Sequence, residues 1–181
     1  MVNHPYWTPR RYAAEIVVNH GEFYESLSER YPDLAEYYEW QTFSAIDIRL
    51  MPLLRRVFTY WTSAMLANID QYREQYEEAL NNTQIMWGTY YYVDMHDYMV
   101  ELKLLDLDNI HLKITTKLVK IVLSKVVIAN WAGNLVPDCN GLSFYWASNQ
   151  TGWELYRDQY VQEATWGQAT GWVNFLDAYC V

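Results

Sequence analysis

The clearest pattern along the chain runs from Leu50 to Tyr76. Leu50, Leu54, Val57, Phe58, Trp61, Met65, Ile69, Tyr72 and Tyr76 recur at intervals of three and four, the period of a helix with one buried face. The spacing predicts one long amphipathic helix over residues 48–80. Asp47 reads as its N-cap. Pro52 falls near the first turn, where a missing N–H costs little, and Asn81-Asn82 ends the run. An earlier helix opens at Thr8-Pro9, a capping threonine followed by a proline suited to the first helical position. Tyr12, Ile16 and Phe23 follow at helical spacing, with Gly21 expected to end or interrupt the helix. A charged stretch over 22–39 then carries Tyr31-Pro32-Asp33 as a turn.

Further helices are expected downstream. Asp94 caps one that runs to Leu104. Asp106 or Asp108 caps the next, with Ile110, Ile114, Leu118, Ile121 and Val122 as its buried stripe. Residues 156–163 read as helical, and Thr170 caps a last helix with Trp172, Phe175, Leu176 and Tyr179 on one face. Strand signals are short: 42–46, the β-branched run 126–129, and 142–146. The last two either pair as a hairpin across the turn at 136–141 or neighbour each other in a larger sheet. Residues 87–93 read as a loop or a short extended piece. The result is a mixed α/β chain, helix-rich with few short strands, forming a single region over 1–181 with no repeat or linker. Three short strands are too few to shelter helices of this size. Either more sheet is supplied from elsewhere, or the chain packs mainly as helices.

Composition sharpens this. The chain is 51% apolar and 17% aromatic, with 9 Trp and 17 Tyr, enough to fill wide spaces between layers. A net charge of -9 leaves no cationic surplus for phosphate binding, so a nucleic-acid partner is not expected. Arg10-Arg11 and Arg55-Arg56 read as solvated helix surface. The longest apolar stretch, 110–131, is broken by His111, Lys113, Lys117, Lys120 and Lys125, so no membrane partner is expected. The first residues show no charged region leading into an apolar core, so no signal peptide is expected.

Candidate chemistry is sparse. Cys139 and Cys180 lie with forty residues between them, without the clustered spacing of a metal site. They read as small buried residues, or as one disulfide in an oxidising compartment. His20 could pair with either cysteine, but a nucleophilic thiolate needs a base within reach, and the spacing provides none. Ser143 sits in Gly141-Leu142-Ser143-Phe144-Tyr145, which lacks the second glycine of a nucleophile elbow. Asp94, His96 and Asp97 are close in sequence, but His-x-Asp spacing on a helix splays the side chains. Glu74, Glu77 and Glu78 read as solvated surface. No Gly-rich phosphate loop occurs. The residues alone therefore give no catalytic set, no metal site and no cofactor.

Three ordered patches carry a resemblance. Thr42-Phe43-Ser44-Ala45-Ile46-Asp47-Ile48 leads into a long helix, Gly141-Leu142-Ser143-Phe144-Tyr145 forms a strand, and Thr170-Gly171-Trp172-Val173-Asn174-Phe175-Leu176-Asp177-Ala178-Tyr179 closes the chain. Together they resemble the C-terminal portion of clostripain-like cysteine peptidases, in the caspase and gingipain fold group. Weaker echoes at 3–9, 14–17 and 92–98 extend the likeness over nearly the whole chain.

The resemblance implies the C-terminal, helix-rich part of a caspase-like fold, a peptide substrate, and cleavage after basic residues. It also implies that the catalytic histidine and cysteine, carried in His-Gly and Asp-x-Cys motifs upstream of the Ser-Ala-Ile-Asp strand, belong to another segment or partner chain. Only about forty residues precede that strand here, without a cysteine, so no dyad residue carries over. Trp146 stands where the family continues with Phe-Pro. The strand after the catalytic one borders the substrate cleft in such folds, which assigns Ser44 and Asp47 to a cleft edge. The alternatives are a non-catalytic pseudoenzyme or scaffold of the same fold, and an unrelated aromatic-rich assembly protein with its rings exposed for stacking.

Overall fold

In a computed structural model, residues 6–86, 92–105, 107–147 and 149–180 are described. Over these residues the chain is mixed α/β, 70% helical, with few short strands in two small antiparallel sheets. Helix α1 (Pro9–Arg30) begins as expected, with Thr8 Oγ1 accepting the Arg11 N–H and Pro9 in the first turn. Gly21 does not interrupt it. A Cβ there would stand 2.3 Å from the Trp131 ring, so the missing side chain lets α1 lie close against the sheet. Pro32–Leu34 forms a 3₁₀ turn, followed by α2 (Ala35–Glu39) and β1 (Thr42–Ile46).

The predicted long helix is broken. A 3₁₀ turn over Ile48–Leu50, capped by Asp47, leads into α3 (Met51–Ala67), and α4 (Ile69–Asn82) starts afresh. Asn68, at φ -123° and ψ 17°, makes the break. Its amide donates to the Ala64 carbonyl at 2.7 Å, and its side-chain oxygen accepts from Asn109 at 2.8 Å. A local side-chain bond of this kind competes with the helical ladder. The apolar period survives because Ile69, Tyr72 and Tyr76 remain buried on the far side of the break.

Of the stretch 87–93, residues 87–91 lie outside the described residues. Tyr92–Asp94 forms β2, and Asp94 caps α5 (Met95–Leu104) as expected. Helix α6 (Ile110–Val126) is capped by Asn109 and not by Asp108; Asp106 lies outside the described residues. Its buried face is also not the expected one. Ile110, Ile114, Leu118 and Ile121 are exposed, and of the predicted stripe only Val122 is buried. The core side is Leu112, Thr115, Thr116, Val119, Leu123 and Val126. Two threonines hid this face from a hydrophobic count. Thr115 satisfies its hydroxyl on the helix backbone, and Thr116 accepts the Trp61 indole N–H at 3.2 Å.

Strand β3 (Val127–Ala132) and β4 (Ser143–Tyr145) neither pair nor neighbour each other. β3 pairs antiparallel with β1, Ser44 opposite Asn130, with a bulge at Ala45/Ile46. β4 pairs antiparallel with β2, Asp94 opposite Ser143. Helix α7 (Gln150–Glu163) starts earlier than the expected 156–163, because Asn149 caps it. After α8 (Thr165–Ala169), the last helix α9 (Trp172–Tyr179) is preceded by Gly171 at φ 74°. Thr170 is not its cap; its hydroxyl donates back to the Trp166 carbonyl.

The core lies where α3 packs along α6 and α9. Trp61, Trp146 and Trp172 are fully buried there. Trp61 and Trp172 stack at 5.7 Å, Trp146 meets Trp172 edge-on at 5.0 Å, and Phe144 and Phe175 join the cluster. Arg73 ties α4 to the end of α9 through the Ala178 and Tyr179 carbonyls. Part of the aromatic content of the sequence thus fills this interior, while Tyr12, Phe23, Tyr37 and others stay exposed.

Candidate functional site

The two small sheets meet at a polar junction around the turn 138–141. On β1, Ser44 Oγ donates to Asn130 Oδ1 of β3 at 2.6 Å. The Asn130 amide in turn donates to the Cys139 carbonyl at 2.6 Å. Gly141, at φ 108°, passes over Ser44 so closely that a Cβ would stand 2.9 Å from its hydroxyl. Positive φ and lack of space both require glycine here.

Asp94 holds the turn from the other sheet. Its carboxylate accepts the Asn140 N–H at 2.6 Å and the Asp97 N–H at 2.8 Å. Burial pushes its pKa up to about 6, against the pull of those two N–H groups, with the neighbouring Asp97 adding to the rise. Asp97 accepts the Gln84 N–H at 2.7 Å, and its own pKa is raised, chiefly by burial. These carboxylates are occupied in fixing backbone. Among the described residues, no group of His, Cys, Asp or Glu could hold a metal ion.

A cleft of about 280 Å³ opens beside the junction, lined by His96, Ser124, Val127, Asn130, Asn140 and Leu142 among others. Two amides, a hydroxyl and an imidazole line it with apolar side chains, the Asn130 and Asn140 amides and the Ser124 hydroxyl being already hydrogen-bonded within the protein. Burial, with Lys120 nearby, lowers the His96 pKa, so the ring is neutral at neutral pH. Asn130 and Asn140, the polar centre of the arrangement, escaped the sequence reading. The available signal was an asparagine inside a β-branched run and a second one in the turn beside Gly141.

Asp47 stands past the end of β1. Its N–H donates to the Val126 carbonyl at 2.7 Å. Its carboxylate accepts from Arg49 Nε at 2.8 Å and Nη2 at 2.6 Å, with Arg10 4.0 Å away. The Arg49 guanidinium holds its pKa down at about 2. The structure therefore places Ser44 in the junction and Asp47 in an ion pair at the start of the α3 segment.

The sequence's nucleophile candidates are not brought to a base. Cys139 Sγ lies 3.3 Å from Met86 Sδ, and burial pushes its pKa up to about 12, with Asp94, Asp97 and Asp138 adding to the rise. Cys180 donates to the Ala147 carbonyl, and burial raises its pKa to about 11. Both cysteines are free and buried. His20 stacks on Phe43 at 4.2 Å, on the α1 side of β1. Ser143 is exposed on β4 opposite Asp94. Among the described residues, no thiol hydrogen-bonds to an imidazole. No protein-family model matches the chain, and neither does a curated protein or a solved structure.

Proposed function

We propose that the chain is the C-terminal, non-catalytic portion or subunit of a clostripain-like cysteine endopeptidase. It is completed by a segment or partner chain that carries the catalytic histidine and cysteine. The observation that carries this reading is the β1–β3 sheet. It has only two strands, and neither has a third neighbour among the described residues. Two-stranded sheets are marginal alone, and open edges accept further strands. The state of the thiols supports the same reading, because a thiol with its pKa near 11 or 12 supplies almost no nucleophile at neutral pH.

In this reading Ser44 and Asp47 border the peptide cleft once a strand is added beside β1. Asp47's charge is already matched by Arg49, so it shapes the end of the strand and does not itself select a basic substrate residue. The burial of Trp61, Trp146 and Trp172 counts against an exposed aromatic stacking surface. A pseudoenzyme of the same fold would bind the completing chain without turnover.

The test is hydrolysis of a fluorogenic peptide ending in arginine. The chain alone should show no turnover. The chain isolated with a partner, sequenced and found to carry His-Gly and Asp-x-Cys motifs, should cleave it, and Cys139→Ala should leave that rate unchanged. Turnover by the chain alone that disappears in Cys139→Ala would overturn the reading, as would a partner-bound form with no activity.

A further inference from the structure

Two helices of the chain carry apolar faces that the fold leaves in solvent. On α6, Ile110, Ile114, Leu118 and Ile121 are 73%, 49%, 41% and 41% exposed; on α1, Tyr12, Ile16 and Phe23 are 38%, 58% and 57% exposed. Each stripe spans eleven residue steps, about 16 Å of helix. Four of the chain's five lysines, Lys113, Lys117, Lys120 and Lys125, lie on α6, which contains no acidic residue. Helix α1 carries Glu15, Glu22, Glu25 and Glu29, all exposed. In a chain of net charge -9, gathering the lysines on one exposed apolar helix is a specific arrangement.

The flanks also match. At 100° per residue, Lys117, Lys113 and Lys120 lie roughly 20–80° to one side of Ile110. Glu15, Glu22 and Glu29 lie roughly 60–100° to the same rotational side of Tyr12. Two antiparallel helices bring same-named flanks together, whereas two parallel ones bring opposite flanks together, as in the charged positions of coiled coils. An antiparallel match sets Tyr12 against Ile121, Ile16 against Leu118 and Phe23 against Ile110. Glu15 then falls beside Lys117 and Lys120, and Glu22 beside Lys113. Arg11, which shares the acidic flank, lies at the helix start with its guanidinium 4.5 Å over the Trp7 ring, beyond the end of the matched stripe.

We propose that α1 of one copy docks antiparallel on α6 of a second copy, so that the chain self-associates through an acidic and a basic apolar helix. Both halves of the joint are present in one sequence, and this complementarity selects a second copy as the occupant. The contact joins two different faces, so across a two-fold axis it is made twice and closes a pair, and with any other rotation it builds a ring or an open array. It is independent of the peptidase reading, whose test reads turnover and not association state.

The experiment is analytical ultracentrifugation of the full chain at near-physiological salt, up to about 100 µM, a range that captures micromolar contacts. Wild type should associate. K113E/K117E and E15K/E22K should each weaken self-association at least about 10-fold, as like charges then face each other. Circular dichroism should show both variants folded, since the positions are on the surface. An equimolar mixture of the two should regain association, and so should the quadruple variant. A wild type that stays monomeric would overturn the proposal. So would association untouched by either charge reversal, or no recovery in the mixture of folded variants. Binding of the monomeric wild type to phosphatidylserine vesicles, lost in K113E/K117E, would likewise overturn it and reassign α6 to an anionic membrane surface.

Discussion

Asp94 Oδ2 accepts the backbone N–H of Asn140 at 2.6 Å, while Oδ1 accepts that of Asp97 at 2.8 Å. One buried carboxylate therefore joins the start of α5 to the turn that enters β4. Its pKa is raised to about 6, chiefly by burial, so the site as a whole disfavours the charged form by about 3 kcal/mol. Between the ordinary carboxylate range and about 6, the native state keeps a proton that the unfolded chain has released. The stability contributed by this group is thus full below about pH 4 and is lost as pH rises through about 6. Replacing Asp94 with Asn removes that titration but leaves one N–H without its acceptor. The variant should be less stable than wild type at low pH. The gap should close by up to about 3 kcal/mol between pH 4 and 7 in urea unfolding. A gap independent of pH would show that Asp94 does not titrate in this window.

Gly21→Ala sets two effects against each other. Alanine favours a helix interior by about 1 kcal/mol over glycine. Here its methyl would meet the Trp131 ring at 2.3 Å, and overpacking of this kind costs about 1–3 kcal/mol. The ring contact is near its attachment to the backbone, where rotation gives little relief. Thermal unfolding should show a net loss of up to about 2 kcal/mol for Gly21→Ala. In a Trp131→Ala background the sign should reverse, because only the helical preference remains.

The buried tryptophans differ in what their indoles do. Trp172 Nε1 donates to the Tyr145 carbonyl at 2.7 Å, whereas Trp146 Nε1 has no acceptor among the described protein atoms. Both are fully buried, so replacement by Phe costs each a similar loss of packing. Trp172→Phe additionally removes the indole hydrogen bond to the Tyr145 carbonyl, a loss of about 0.5–1.5 kcal/mol. Denaturant unfolding should therefore rank Trp172→Phe as the more destabilising by roughly that amount. Equal losses would mean that the carbonyl finds another donor.

Much of the fold was legible because local signals carried it. Thr8-Pro9, Asp47, Asp94 and the run 42–46 mark element starts by side-chain chemistry that acts within a turn. The apolar period of α3 and α4 likewise survives in the core. What the sequence concealed is long-range. Nothing local says that Gly21 accommodates Trp131, or that β3 seeks β1 across more than eighty residues. On α6 a hydrophobic count chose the wrong face, because Thr115 and Thr116 bury their methyl groups while bonding their hydroxyls. At the candidate site Ser44 and Asp94 were visible, the latter as a cap and as a neighbour of His96 and Asp97, but not as the acceptor for the turn at Asn140. Asn130 and Asn140 were not, because an asparagine acquires its role from the carbonyl and carboxylate that the fold brings to it.

The state of the two thiols supports the proposed non-catalytic role and can be tested directly. A reactive cysteine is exposed and has a lowered pKa. Cys139 is a buried residue of the turn at 136–141 and faces Met86, and Asp94, Asp97 and Asp138 oppose its ionisation. Cys180 is buried at the end of α9, hydrogen-bonded to Ala147, with its pKa raised chiefly by burial despite the nearby Arg73. With pKa values near 12 and 11, the thiolate fraction at pH 8 is on the order of one part in a thousand or less. Native protein should react with a thiol-specific disulfide reagent only as fast as it opens, and denatured protein should release two equivalents at once. Partial urea should accelerate the native reaction in step with unfolding. Rapid labelling of native Cys139 at neutral pH, traced by peptide mapping, would place a reactive thiolate at the junction and return that residue to the list of nucleophiles.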